Sequence, residues 1–499
     1  MRTGVFWVEG LLVVGWLTLL GQTFVGVLTE PAEQNTSEGM TLLETVDAEG
    51  AEWMSVYMEG QKIGVALSDR VATPTGWKVQ ERSFIRLRAF EQDKEITTAF
   101  VAETDHDNHL QNFTFYLSAP PMASDVRGRV EGGNLIVDLS TGGETHSQTF
   151  PLPEGAPEIA LTFKARALQE GTRVGDSFEM PYFDPATLAR QHMTVTVVEK
   201  GTATVAQEQV DTFTLEANFQ GFKTRAVVTR DGKTLKEEGA LGMTLLREPR
   251  EQALYEGWNG RTPADLIALS VVSVKKPIKN PRKVYYLSAQ LSGGGVEALI
   301  KDTYADANGE KPGKVSIYSS IPSEWQPPQL PVVEQRFARE LGPTPLIQST
   351  DVEIAAAAQS MVGDDLRADL AAHHLVDYLY KNIKKVPTMG IPSAKEVLKV
   401  GQGDCNEHTV LYTALARSLG LPTRMVAGIV YSESGYGGGG FLYHAWPEVW
   451  LGEWVPVDPT FGQFPADATH IKLVEGDLDK QLALMRVVGN LEIDVLAVE

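Results

Sequence analysis

Between Glu52 and about Arg247, apolar residues come in short runs that alternate with polar ones and are broken by turn residues. Residues 53–57, 64–67, 112–117, 134–139 and 193–198 are such runs. The stretch 222–230 also alternates, and it stops at Asp231-Gly232, a dipeptide suited to the positive backbone angles of a tight hairpin. Many strands at short spacing predict a large antiparallel sheet or an opened barrel over residues 51–250. A second β-rich segment is expected over 260–332, opened by 266–274, continued by 283–287 and left through the Pro-rich stretch 326–331. From about residue 350 the period changes. Val352, Ile354, Ala355 and Ala358, then Leu366, Leu370, Leu375, Leu379 and Ile383, recur at helical spacing and predict two helices before Pro387. Ser393 and Glu396 then have the spacing of a capping box opening a short helix.

The amino terminus differs from all of this. Residues 4–28 are almost wholly apolar, with Glu9 as the one charge. About twenty apolar residues cross a bilayer as a helix, whereas residues 11–20 alone suffice for a secretion-signal core. The expectation is an uncleaved anchor over 1–28, with a cleaved signal as the alternative, followed by a polar linker over 29–50. Arg2 then points the short end to the cytoplasm, leaving the rest periplasmic or extracellular.

At 499 residues the chain is too long for one core. Its net charge of −21 argues against a nucleic-acid groove, which needs clustered Lys and Arg. There is a single cysteine, Cys405, so no intramolecular disulfide forms and a Cys-rich zinc site is excluded. His106 and His109, beside Asp105 and Asp107, have spacing that suits a metal, but a turn-rich polar stretch reads better as solvated surface. No metal or other cofactor is expected.

A lone cysteine is often inert, so its surroundings decide. Val410, Leu411, Ala414, Leu415 and Leu419 form one apolar stripe of a helix that stops at Gly420. Asp404 is a good N-cap, and Glu407 completes a capping-box pair. Cys405 is then the first helical residue, where free amides and the helix dipole favour thiolate. His408 follows one turn later on the same helix. Downstream, residues 441–451 read as a strand carrying His444, flanked by Tyr443 and Trp446 as packing for its ring. After a turn at Gly452, residues 453–460 read as a second strand ending near Asp458. Antiparallel pairing of the two brings Asp458 within reach of the His444 imidazole. Residues 435–440, five of the six glycine, form a loop before the His444 strand, either a mobile rim of a groove or a loose hairpin.

Gly-Asp-Cys followed by Asn-Glu-His at 403–408, His-Ala-Trp-Pro-Glu-Val at 444–449 and Trp-Val-Pro-Val-Asp-Pro-Thr at 454–460 together resemble the transglutaminase-like, papain-related superfamily. The β-rich residues upstream are similar in pattern to exported domains that precede such cores in bacterial proteins. The resemblance implies an α+β, multidomain chain: two N-terminal antiparallel β-rich domains, then a transglutaminase-like (papain-like) core at 345–480 and a C-terminal segment at 481–499. It implies Cys405 as nucleophile, His444 as general base and Asp458 as orienting acid, working through an acyl-thioenzyme on amide bonds of a peptide or protein substrate. Hydrolysis is the first expectation. Protein cross-linking, or a binding or assembly module without turnover, are the alternatives. No calcium-loop motif is present.

Overall fold

The structure, a computed structural model, describes residues 51–499 except 90–91, 120–121, 142–143, 153–167, 169–170, 186–188, 206, 220–221, 240–241, 256–269, 305–311, 320–325, 364–366, 387–392 and 434–438. The segment expected to anchor the chain, and the linker after it, lie outside the described residues. Among the described residues no helix is long and apolar enough to cross a membrane. The described residues fall into two compact units, one from Ala51 to Tyr255 and one from Ser270 to Glu499.

In the first unit, strands β1 (Glu52–Met58) to β14 (Met243–Arg247) form one 14-stranded antiparallel sheet. Strands β1 to β8 pair each with the next in sequence, as do β9 to β14, β1 also pairs with β14, and β8 (Glu144–Pro151) and β9 (Ser177–Asp184) end the sheet order. Alternation explains most of it. Met193, Val195 and Val197 are buried together with Phe213, Leu215, Ala217, Ala226 and Val228, and Val197 faces Leu215 across one pair of strands. Such cross-strand apolar pairs are the stabilising unit of a sheet. β1 departs from alternation because it is buried on both faces. The short helix Arg250–Tyr255 covers Trp53 with Ala253 and Leu254, which is why that strand reads as a nearly continuous apolar run.

The second unit joins helices to two sheets. One sheet has the order β15 (Val272–Ser273), β21 (Gly440–Trp450), β20 (Thr423–Ser432), β23 (Ile471–Glu475), with β22 (Trp454–Pro456) also on β21. The other has the order β17 (Lys314–Tyr318), β16 (Tyr286–Ser292), β24 (Glu492–Val498). Helices α1 (Val352–Val362), α2 (Ala368–Asn382) and α3 (Ala394–Val400) surround α4 (Cys405–Ser418). The two helices expected before Pro387 are present as α1 and α2, although Val352 is 79% exposed and so lies off the apolar face.

The expected domain boundaries fall at 332 and 481. Residues 270–319 share one compact unit with everything downstream, residues 481–499 included. The cause is shared burial. Leu287, Ala289 and Leu291 of β16 are fully enclosed, and the opposing strand is the C-terminal β24, with Leu291 facing Ile493. Each fully buried leucine contributes roughly 1.5–3 kcal/mol, so β16 and β24 hold each other in place.

Candidate active site

Cys405 is positioned by its own helix cap. The short strand β18 (Lys384–Lys385) pairs in parallel with β19 (Gln402–Gly403), fixing the approach of the chain to α4. Asp404 Oδ1 accepts from the Asn406 amide at 3.1 Å, and the Asp404 amide donates to Glu407 Oε2 at 2.9 Å, forming the expected capping box. A Cβ at Gly403 would overlap the Glu407 side chain, so only glycine lets that carboxylate fold back. The helix stops at Gly420, whose φ is 77°, a left-handed conformation that costs glycine little.

The single-stripe reading of α4 is too simple: every residue from Cys405 to Arg417 is buried. Its polar side chains find partners inside the unit. Tyr412 OH donates to Ala372 O at 3.1 Å, and Arg417 donates to Thr423 O at 3.0 Å and Gly342 O at 2.7 Å. Thr409, one turn after Cys405, donates to Ala445 O at 3.1 Å. The Ala445 amide in turn donates to the Cys405 sulfur. Ala445 therefore ties α4 to the strand that carries His444.

The expected thiolate preference of Cys405 is reversed. Burial pushes the thiol well above its ordinary value of 9.0 and Asp404 adds to this; the Ala445 amide opposes it, and Glu407 and Asp458 raise it further. With Cys405 fully enclosed among three carboxylates, the helix-end field does not prevail.

His444 and Asp458 meet as expected. Strands β21 and β22 pair antiparallel, Glu448 with Pro456 and Trp450 with Trp454, and the chain then reaches Asp458. His444 Nε2 donates to Asp458 Oδ2 at 2.9 Å. The tautomer that donates from Nε2 carries its lone pair on Nδ1, and that atom is buried without a hydrogen-bond partner. Phe461 and Trp446 stack on the ring at centroid distances of 5.1 and 5.8 Å, which fixes its plane. Burial lowers the His444 pKa; Asp458 opposes this, while His470 and Arg282 add to the lowering.

Sequence reasoning missed a second histidine. His470 Nε2 donates to the same Asp458 oxygen at 3.0 Å, and Asp458 Oδ1 accepts from the amides of Thr460 at 2.7 Å and Phe461 at 3.0 Å. Burial alone would raise the Asp458 pKa, but the charges and hydrogen bonds of His444 and His470 hold it well below 3.8. Burial would likewise lower His470, yet Asp467 and Asp458 bring it up to about 9. Asp467 receives Arg282 Nη1 at 2.9 Å. Nothing local marked His470: it is one of nine histidines, three residues after an aspartate. Its role depends on the return of β23.

The donor atoms of His444, Asp458 and His470 lie within 4.8 Å of one another, a set that can in principle reach one ion. Both imidazole nitrogens already sit at hydrogen-bond distance from one oxygen, so these contacts are charge-assisted hydrogen bonds. Elsewhere, His408 Nδ1 bonds Asp404 O at 2.6 Å, and burial lowers its pKa to about 4, so it is no base near neutrality. Tyr443 OH donates to Val487 O at 3.0 Å, a packing role. His109 pairs with Asp105 at 3.1 Å on an exposed turn. Of the glycine-rich loop, 434–438 lies outside the described residues.

Known proteins resemble parts of this chain. Residues 355–459 match the family model of the transglutaminase-like superfamily. Among solved structures, a candidate cysteine protease from Cytophaga hutchinsonii is similar at 19% identity and a TM-score of 0.26, over 34% of this chain and 55% of its own. The chain thus spans about half the length of that protein. A β-barrel-like protein of a domain of unknown function from Brucella abortus is similar at 14% identity and a TM-score of 0.31, over 40% of this chain and 94% of its own. No curated protein matches. The matched span holds Cys405, His444 and Asp458 on a mixed helix-and-sheet fold, and over it the chain is similar to the transglutaminase-like superfamily.

Proposed function

We propose that the protein is a thiol enzyme acting on amide bonds of peptides or proteins, with Cys405 as nucleophile, His444 as general base and Asp458 as orienting acid. One observation supports this best. His444 donates to Asp458 and leaves a buried, unpaired Nδ1, while the next residue, Ala445, hydrogen-bonds the Cys405 sulfur. In this reading the thiol proton passes to Nδ1 as sulfur attacks the amide carbonyl. The imidazolium then protonates the departing amine and a thioester remains. Water, deprotonated by His444, releases the acid and restores the thiol.

A cross-linking transglutaminase differs only in its acceptor, a second amine in place of water. A binding module without turnover has one observation in its favour, the complete enclosure of Cys405. All three readings separate in one assay. The purified chain and its Cys405→Ala variant are incubated with a casein-type protein, following new amino termini and incorporation of a labelled amine. Cys405-dependent new termini exceeding amine incorporation support the hydrolase. The reverse ratio selects the cross-linker, and no Cys405-dependent product selects the binding module. The proposal also keeps the thiol domain outside the cytoplasm behind a membrane anchor, for which sequencing the mature amino terminus is the check: a start beyond residue 20 means a cleaved signal.

A further inference from the structure

We propose that His470 is a positioning residue of the thiol site, a cation at neutral pH that shares the Asp458 carboxylate and keeps His444 uncharged until the thiol proton passes to it during attack on a substrate. The inference rests on the reading of Cys405 and His444 given above.

The geometry is a line of alternating charge. Arg282 Nη1 meets Asp467 Oδ2 at 2.9 Å, and His470 Nδ1 donates to the main-chain oxygen of Asp467 at 3.0 Å, with Asp467 Oδ1 at 3.6 Å. His470 Nε2 then donates to Asp458 Oδ2 at 3.0 Å, the oxygen that also receives His444 at 2.9 Å. His470 is 99% enclosed by side chain and both of its nitrogens are occupied by acceptors, which is the pattern of an imidazolium. Asp467 is itself held by the Thr469 amide at 2.8 Å and by the Thr469 hydroxyl. Arg282, Asp467 and His470 all lie outside residues 355–459, so the matched family span does not contain them.

The consequence follows from Coulomb's law. Moving the thiol proton from Sγ to Nδ1 places a positive charge on His444, whose ring centre lies 5.7 Å from that of His470. A standing charge on His470 opposes that transfer, and Asp458 favours it with a carboxylate already shared between two donors. Other charged groups face the same atoms. Asp404, Glu407 and Asp458 raise the thiol, Arg282 adds to His470 at His444, and Lys385 interacts with Asp458. Of these groups Asp458 alone favours the imidazolium; Lys385, paired with Gly403 at the approach to α4, weakens that pull, and the others push towards neutral His444 or protonated Cys405. The resting pair is therefore thiol and imidazole, not thiolate and imidazolium.

Two measurements on the full chain test this. In nitrogen-15 NMR of the histidine rings, assigned with His470→Gln, both His470 nitrogens are expected to be protonated at pH 7.5. Asp467→Asn removes one of the two carboxylates that support the charge, and the His470 titration is expected to fall into or below the neutral range. A neutral His470 in the wild-type chain at pH 7.5 overturns the proposal. The second readout is the pH midpoint of the His444 ring titration, followed in the same spectra. His470→Gln keeps a neutral donor for Asp458 but removes the positive charge that lowers His444, and the His444 midpoint is expected about one pH unit above wild type. If that variant does not fold, Asp467→Asn is expected to shift the midpoint in the same direction. A residue that serves only to pack leaves the midpoint unmoved, and an unmoved midpoint in a folded variant sinks the idea. Neither readout uses turnover, so failure of the proposed activity and failure of this inference are distinguishable.

Discussion

Cys405 and Thr409 lie one turn apart on α4, and both reach the main chain of Ala445. The cysteine was legible from its place between Asp404 and Glu407, and His444 from the strand that carries it. The threonine was not, because its value lies in a contact with a strand 36 residues away. Thr409→Val keeps shape and removes the donor, leaving a buried carbonyl unsatisfied at a cost of about 1–3 kcal/mol. A lower urea-unfolding midpoint is expected, together with faster Cys405 alkylation as the strand loosens from the helix and exposes the thiol. An unchanged midpoint and rate would remove Ala445 from the account. The thiol itself illustrates a competition that sequence cannot resolve. A helix start favours thiolate, but desolvation and three carboxylates raise the pKa above 9.0. Native Cys405 is therefore expected to resist alkylation at pH 7 and to react only above its ordinary range, while the urea-unfolded chain reacts at the normal rate.

At the level of elements, local signals located strands and helices well and assigned their polar contacts less well. The alternation in the first unit became strands of one antiparallel sheet, and the Asp404–Glu407 cap formed as its spacing predicts. Ser393 takes the N-cap position of α3, yet its side chain makes no cap bond. Gln348 donates to the Ser393 hydroxyl at 3.1 Å, and its carbonyl oxygen accepts from the Lys395 amide at 3.3 Å. A residue 45 positions earlier has taken over the cap, which no local pattern reports. Gln348→Ala is expected to lower stability by about 1 kcal/mol, the usual worth of a cap, whereas Ser393→Ala alone has a smaller effect. Equal losses in thermal unfolding for the two variants would contradict this.

Across the second unit, charge and connectivity set two further expectations. The pKa of His470 is raised to about 9, so its contribution to stability is complete below 6.5 and is lost as pH rises through about 9. Asp458 and His444 are both lowered. The Asp458 contribution is present above 3.8 and lost as pH falls through its depressed folded value, and that of His444 is present above 6.5 and lost below its own. Unfolding midpoints measured across pH should therefore fall on both sides of neutrality, and His470→Gln should flatten the alkaline side and also weaken the acid side, because His470 helps to lower Asp458 and His444. Connectivity predicts that residues 267–499 unfold cooperatively as an isolated fragment. Residues 345–480 alone should not, because they lack Arg282, β16 and β24; circular dichroism with thermal melting distinguishes the two.

What the sequence determined by itself were the features whose physics is local. Alternation set the strands, the 3.6-residue period set the helices, the Asp404–Glu407 spacing set the helix start, and three short motifs identified Cys405, His444 and Asp458. Tertiary structure alone decided which strands share a sheet, so that β16 needs β24. It also brought His470, Asp467 and Arg282 behind Asp458, and it buried the thiol deeply enough to reverse its expected pKa. Burial and charge at a point depend on every chain segment that packs there, and those segments come from positions far apart along the chain.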